Sequence, residues 1–323
     1  MRTSRFIGLL AVLMTLAGGT PCVAAAQATA STPGGSDEMG AAPSPDSSEA
    51  TPDTEAQSER SASPENPMPF SGWKVINLPT GRTLEGGNWL FLISHRFNQP
   101  VNTGYAGFYG LDSGATMYLS LGYAFTDRLL VTLGRSDRRD NVELETRYGA
   151  VHERNPSWPV GLSVQGAVNW LTRDIPGQRR WRSAAFKYTA QVSLTRTVVD
   201  QVGLALVPGL TLNPDENLDG ETPLVTLGLG ARWKVQEKVA LVGEWTPVLS
   251  RPDAIATAPN RHDTWAAGVE ITTDGHVFQV VVSNGRGLTT DQYLSGADLG
   301  GDIADGNVRL GFNIFRILDF SKF

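Results

Sequence analysis

The sequence predicts an all-β protein: an up-and-down antiparallel transmembrane barrel of about 12 strands, preceded by a disordered N-terminal linker. Three observations predict it. From residue 88 onward, segments of about ten residues alternate large apolar side chains with polar or small ones. Short and long links between these segments take turns along the chain. No stretch after residue 27 holds 18 consecutive apolar residues, so a membrane crossing by this chain requires a closed sheet.

The alternation is plain where it is quoted. Leu119, Leu121, Tyr123 and Phe125 alternate with Tyr118, Ser120, Gly122 and Ala124. Leu162, Val164, Val168 and Trp170 alternate with Ser163, Gln165, Ala167 and Asn169. Val225, Leu227, Leu229, Ala231 and Trp233 do so with Thr226, Gly228, Gly230 and Arg232, and Val308 to Phe315 repeats the theme. Period two gives a strand one apolar face. The predicted strands are 88–97, 114–125, 128–136, 140–152, 160–171, 184–197, 202–212, 222–233, 238–246, 263–273, 275–283 and 307–316. Ten or eleven residues at about 3.3 Å each and a tilt near 40° rise about 27 Å, matching an apolar band of about 25 Å.

Short links fall at Thr126-Asp127, Glu153 to Pro159, Val198 to Gln201, Val235 to Glu237 and Asp274. Long ones fall at 98–113, 172–183, 213–221, 247–262 and 284–306. One link, near Asp137, is short where the parity requires a long one. In outer-membrane barrels short turns face the periplasm, so this parity predicts both termini there and the long loops outside. Tryptophan favours membrane–water interfaces. Trp89, Trp158 and Trp233 map near the predicted periplasmic rim, and Trp170, Trp181, Trp245 and Trp265 near the outer rim. Trp73 lies before the barrel.

Residues 1–27 read as a secretory signal: Arg2 and Arg5, an apolar centre Ile7–Leu16, and small-residue cleavage sites in Ala24-Ala25-Ala26-Gln27-Ala28. The single cysteine, Cys22, lies within it, in a poor setting for lipidation. Residues 28–67 are rich in Pro, Ser, Ala and Glu, with almost no large apolar side chains, and are predicted as a disordered periplasmic linker. Most of the net charge of −6 sits there, on acids such as Asp37, Glu49 and Glu59. The barrel, 68–323, is close to neutral and carries no electrostatic footprint for nucleic acid.

Gly86-Gly87-Asn88-Trp89-Leu90-Phe91-Leu92-Ile93-Ser94-His95-Arg96-Phe97 resembles the opening strand of a bacterial family of membrane-bound β-barrel domains of unknown function. Tyr109-Gly110-Leu111-Asp112-Ser113-Gly114-Ala115 and Gly122-Tyr123-Ala124-Phe125-Thr126-Asp127-Arg128-Leu129 are similar to it as well. The motifs span about residues 75–136. The resemblance implies a fold and a location, and brings no activity.

With the apolar face outward, the lumen receives Glu143, Glu145, Arg147, Lys187, Arg232, Glu244, Glu270 and Arg309. Equal numbers of acids and bases fit either a narrow, weakly selective pore or a lumen filled by mutually satisfied side chains. His95 and Arg96 are neighbours on a strand and face opposite ways, which puts one of them at a rim. A hydrolase needs Ser and His on one face. Ser94 adjoins His95 on the opposite face, His152 lacks a hydroxyl two residues away, and His262 with Asp263 and Asp253, or His276 with Asp274, are weak alternatives. Asp215–Gly220 carries half of a calcium-loop pattern, and the acids of 291–306 read as an ordinary solvated turn. No cofactor or metal is expected, for want of a phosphate loop or metal-spaced His and Cys. The expected partners are outer-membrane lipid, the barrel-assembly machinery (through the terminal aromatics ending in Phe323) and a periplasmic partner for the linker. The functional expectation is a passive channel or a structural barrel of unknown role, with an interaction protein using the long loops as the alternative and a hydrolase third.

Overall fold

The computed structural model describes residues 68–152, 158, 160–214, 223–250 and 262–318. The predicted signal and linker, the half calcium loop at 215–220, Asp253 and the last five residues lie outside the described residues.

Among the described residues thirteen strands form one sheet: β1 (Trp89–Phe97), β2 (Ala115–Thr126), β3 (Leu129–Ser136), β4 (Asn141–Val151), β5 (Gly161–Leu171), β6 (Phe186–Val199), β7 (Val202–Leu212), β8 (Leu224–Gln236), β9 (Val239–Thr246), β10 (Val248–Ser250), β11 (Thr264–Thr273), β12 (His276–Ser283) and β13 (Arg309–Leu318). Every pairing is antiparallel, the long strands pair in chain order with β9 meeting β11, and β1 pairs with β13 to close the ring. Twelve long strands make the barrel, within three residues of the predicted bounds. The unforeseen β10 resumes the pairing with β8 beyond Pro247, a residue that cannot donate to the ladder. The last strand runs on to Leu318, past the predicted end at 316.

Closure satisfies each strand's backbone groups inside the sheet, so the outer wall can be apolar without cost in lipid. It is apolar: Leu133 is 58% and Val280 62% exposed, among many outward Leu, Val and Phe side chains. So large an apolar surface has no place in water. Away from the strand ends most inward positions of the twelve long strands are buried, as the alternating burial of β5 and β7 illustrates. A water-filled lumen would leave these side chains exposed. The interior is therefore filled, and two segments outside the strands fill it.

Candidate functional site

The first filler is the strap Met68–Glu85. It enters at the rim that carries the short turns and leaves at the same rim. Pro69 lies against Gly203 beside the β6–β7 turn, and the backbone N–H of Gly87 donates to the Ala124 carbonyl near the β2–β3 turn at 2.8 Å. Between these ends, residues 73–80 fold into a tight hairpin. The Val75 N–H donates to the Leu78 carbonyl at 2.8 Å, and the Thr80 N–H donates to the Trp73 carbonyl at 3.2 Å. Apolar residues concentrated among Gly and Pro have no strand to join, and they bury themselves in the barrel instead. Trp73, expected ahead of the barrel, is 3% exposed and packs with Leu90, Leu92, Leu130 and Phe315. Arg82 stacks on its outer face at 4.4 Å. Ile76 packs on Val242, Ala266 and Val281 on the other side.

Glycine on the inner wall makes room for the hairpin. A Cβ at Gly228 would stand 2.5 Å from Leu78, and one at Gly230 would stand 2.8 Å from Val75. These inward glycines of β8 are sockets that no larger residue could provide without moving the strap.

Glu244 on β9 is the main anchor. Its carboxylate accepts the N–H groups of Ile76, Asn77 and Leu78 at 3.1, 2.9 and 2.9 Å, and the Asn77 side-chain amide at 2.6 Å. Three successive N–H groups converging on one anion make a backbone nest. Asn77 also accepts from Arg96 at 3.3 Å, and Arg96 donates to Asn313 at 3.0 Å. Asn313 donates to Gln279, and Gln279 to Glu270, which accepts from Arg232 at 2.7 Å. One polar chain thus runs from β9 through the strap to β1, β13, β12, β11 and β8. Opposite it, Arg147 donates to Gln165 and Glu145 and to the Trp73 carbonyl at 2.7 Å.

The second filler is the long link 284–306, which turns inward from the opposite rim. Its single helical turn, α1 (Thr290–Leu294), is buried throughout. Glu143 accepts from the Thr290 N–H at 2.6 Å and also from Tyr118 and Asn169. Asp291 accepts from Asn141 at 2.8 Å and lies 4.0 Å from Lys187. Burial raises the Asp291 carboxyl above its ordinary range, with Lys187 pulling in the opposite direction. Tyr293 donates to Gln191 at 2.9 Å. Arg309 is held in a two-pronged pair by Asp298 at 2.9 and 3.0 Å. The solvated-turn reading of 291–306 is corrected at Asp291, which is 2% exposed, and at Asp298, which is paired with Arg309, and it holds for Asp302 and Asp305, which are exposed. Strap and loop meet in one cluster, where Phe70, Val75 and Leu78 share Ala205, Val207 and Leu224 with Tyr293 and Leu294. A void of about 20 Å³ beside Trp73 and Lys74 leaves space for about one water.

All eight inward charges read from the sequence are buried in this interior. Sequence reasoning missed Lys74, Arg96 and Asp291, which are equally buried. The His95/Arg96 pair divides as adjacency requires: Arg96 turns into the lumen, and His95 faces outward, stacked 4.9 Å from Phe312. Arg96, next to the long-loop end of β1, reaches Asn313 and Asn77 with its guanidinium. Ser94 is inward and so shares no face with His95. The His262 backbone bridges to Ala297, and His276 stacks on Phe278. Among the described residues no three His, Cys, Asp or Glu side chains cluster as metal ligands. Of the rim aromatics, Trp89 packs on Tyr123 at 4.7 Å, and Trp170 stacks on Trp181 at 4.0 Å. Trp245 and Trp265 stand side by side across β9 and β11, whereas Trp158 and Trp233 are exposed at the short-turn rim.

No curated protein matches the chain. Among solved structures, it is similar to an outer membrane channel from Pseudomonas putida F1 (14% identity, 73% of this chain and 97% of that one, TM-score 0.44). It is similar to a KdgM porin in complex with disordered oligogalacturonate (10% identity, 70% and 98%, TM-score 0.43). It is also similar to outer membrane phospholipase A from Escherichia coli (12% identity, 72% and 90%, TM-score 0.39). The family model described as membrane bound beta barrel domain (DUF5777) matches residues 70–318, reaching well beyond the 75–136 motifs and taking in the strap, and the chain belongs to that family.

Proposed function

We propose that this protein is a gated passive channel of the bacterial outer membrane, closed in the state described, with the short-turn rim and both termini in the periplasm. The observation that carries this reading is the inner wall of β7 and β8. It presents Gly203, Ala205, Gly228 and Gly230, so the wall does not fill the lumen there and the strap does. Because both ends of the strap lie at one rim, it withdraws without unthreading and without breaking a ladder bond. A barrel serving only as scaffold could close the same space with larger wall side chains. The lipid-facing Leu, Val and Phe side chains and the two girdles of tryptophan support a membrane setting for every strand.

The test is planar-bilayer recording of refolded full-length protein beside a variant whose strap is displaced. Silence from the first and steady unitary currents from the second are expected. Silence from both, with intact barrels by circular dichroism, would leave a structural barrel.

A second reading has one observation in its favour. The long link after β1 exposes Tyr105, Phe108 and Tyr109, and the last two hold left-handed backbone (φ 45° and 55°). Aromatic side chains presented on strained backbone suit an interaction surface at the long-loop rim.

A further inference from the structure

We infer that the hairpin Trp73–Thr80 occupies a peptide-binding site built into the barrel wall, and that the site accepts the same peptide in trans. The inference rests on the reading that the strap can leave the lumen, and it names the ligand class of that lumen.

Barrel strands spend their own backbone groups on each other, so a wall can read a peptide backbone only with side chains. This wall does so from six strands. Glu244 takes three N–H groups, as described. Gln279 donates to the Val75 carbonyl at 2.7 Å and Asn313 to the Ile76 carbonyl at 3.0 Å. Arg147 serves the Trp73 carbonyl, Ser193 donates to the Pro79 carbonyl at 2.5 Å, and Ser163 to the Thr80 carbonyl at 3.3 Å. The hairpin closes on itself at Val75 and Thr80. The chain between Trp73 and Thr80 is therefore satisfied almost group by group. Sequence is read by shape: an aromatic pocket for Trp73, and glycine sockets for Val75 and Leu78. The selected pattern is Trp-x-Val-x-x-Leu, with Asn just before the Leu. Such a site recognises a short turn-forming peptide. The strap is its tethered occupant.

Covalent continuity at Glu85–Gly86–Gly87 is exposed and makes no lumen contact, so it is the place to cut. Full-length chain carrying a specific protease site inserted there folds with its strap in place and is cleaved afterwards. A fluorescein-labelled synthetic peptide of residues 68–85 is then added, with anisotropy and single-channel current as readouts. The inference expects saturable exchange of the labelled peptide and a fall in open probability. It expects at least tenfold weaker binding for a peptide carrying Asn77→Ala and Leu78→Ala, or for a Glu244→Gln barrel, and none for a scrambled peptide. Currents after cleavage with no effect of any peptide would overturn the inference and leave the channel reading standing. Exchange without currents would do the reverse. An unexchanged strap after cleavage, or equal binding of native and scrambled peptides, overturns the inference.

Discussion

Substituting Glu244→Ala tests the strap's anchorage directly. The change removes the shared acceptor of the Ile76, Asn77 and Leu78 N–H groups and of the Asn77 amide. A buried donor left without a partner costs about 1–3 kcal/mol. Three backbone donors at the lower figure give about 3 kcal/mol, before the side-chain amide is counted. Outside the barrel the same groups find water, so this cost falls on the docked state alone. At about 1.4 kcal/mol per decade, the ratio of withdrawn to docked strap rises about a hundredfold. Glu244→Gln keeps one acceptor oxygen and should fall between the alanine variant and wild type. Two assays read the outcome: single-channel recording, and maleimide labelling of a Leu78→Cys reporter in a Cys22→Ser background. The expected result is frequent opening and rapid labelling in the alanine variant, and slow labelling with Glu244 intact. If labelling and current were the same with and without Glu244, while the barrel stayed folded, the carboxylate would not be holding the hairpin and the argument from the nest would fall.

Gly230→Leu places a side chain where Val75 sits, since even a Cβ there stands 2.8 Å from it; the strap should be expelled and a leak seen in liposome swelling, with the barrel still resistant to heat in detergent. Glu143→Gln weakens the acceptor of Thr290, and the long link should undock, read as faster proteolysis at 284–306 by mass spectrometry. The raised Asp291 carboxyl gives a pH dependence whose sign is fixed. A carboxylate raised in the docked state favours docking when protonated, so docking is strongest below its ordinary value of 3.8 and weakens as pH rises through the raised one. Open probability should therefore rise over that interval, and Asp291→Asn should flatten the profile. On the outer face, Leu133→Arg should cost about 2–4 kcal/mol in lipid vesicles if the residue lies near the midplane, measured by denaturant titration.

The barrel was legible because membrane strands repeat one rule. Leu119, Leu121 and Tyr123 face lipid whatever the rest of the chain does, and period two carries the inward set with them. The eight inward charges followed from parity alone. Lys74 and Asp291 did not, because they sit on segments without period: a strap and a link whose direction depends on a vacancy elsewhere. Arg96 obeyed the parity, but adjacency to His95 does not say which of the two turns inward. The signal for the strap was present in two places far apart. Phe70, Trp73, Val75, Ile76 and Leu78 form an apolar run too short and broken for a strand, and Gly203, Gly228 and Gly230 leave the inner wall hollow. Neither means much alone. Together they specify a filler and the hole it fills.

That pairing also decides why the lumen tolerates so many charges. Unpaired, each buried ion would cost several kcal/mol. In the wall alone, Glu244 would face a hollow, and Arg96 would keep only its bonds to Asn313 and nearby carbonyls. With the hairpin docked, Asn77 joins them, and the chain of partners continues to Arg232. The hairpin is therefore an electrostatic component of the barrel as well as a steric one. Its departure must let water into the lumen, because Glu244 and Arg96 would otherwise lose a partner with nothing in its place. A dry, empty barrel is the one state this sequence disfavours most. Withdrawal of the strap and hydration of the lumen should occur as one event, visible as stepwise rather than graded current.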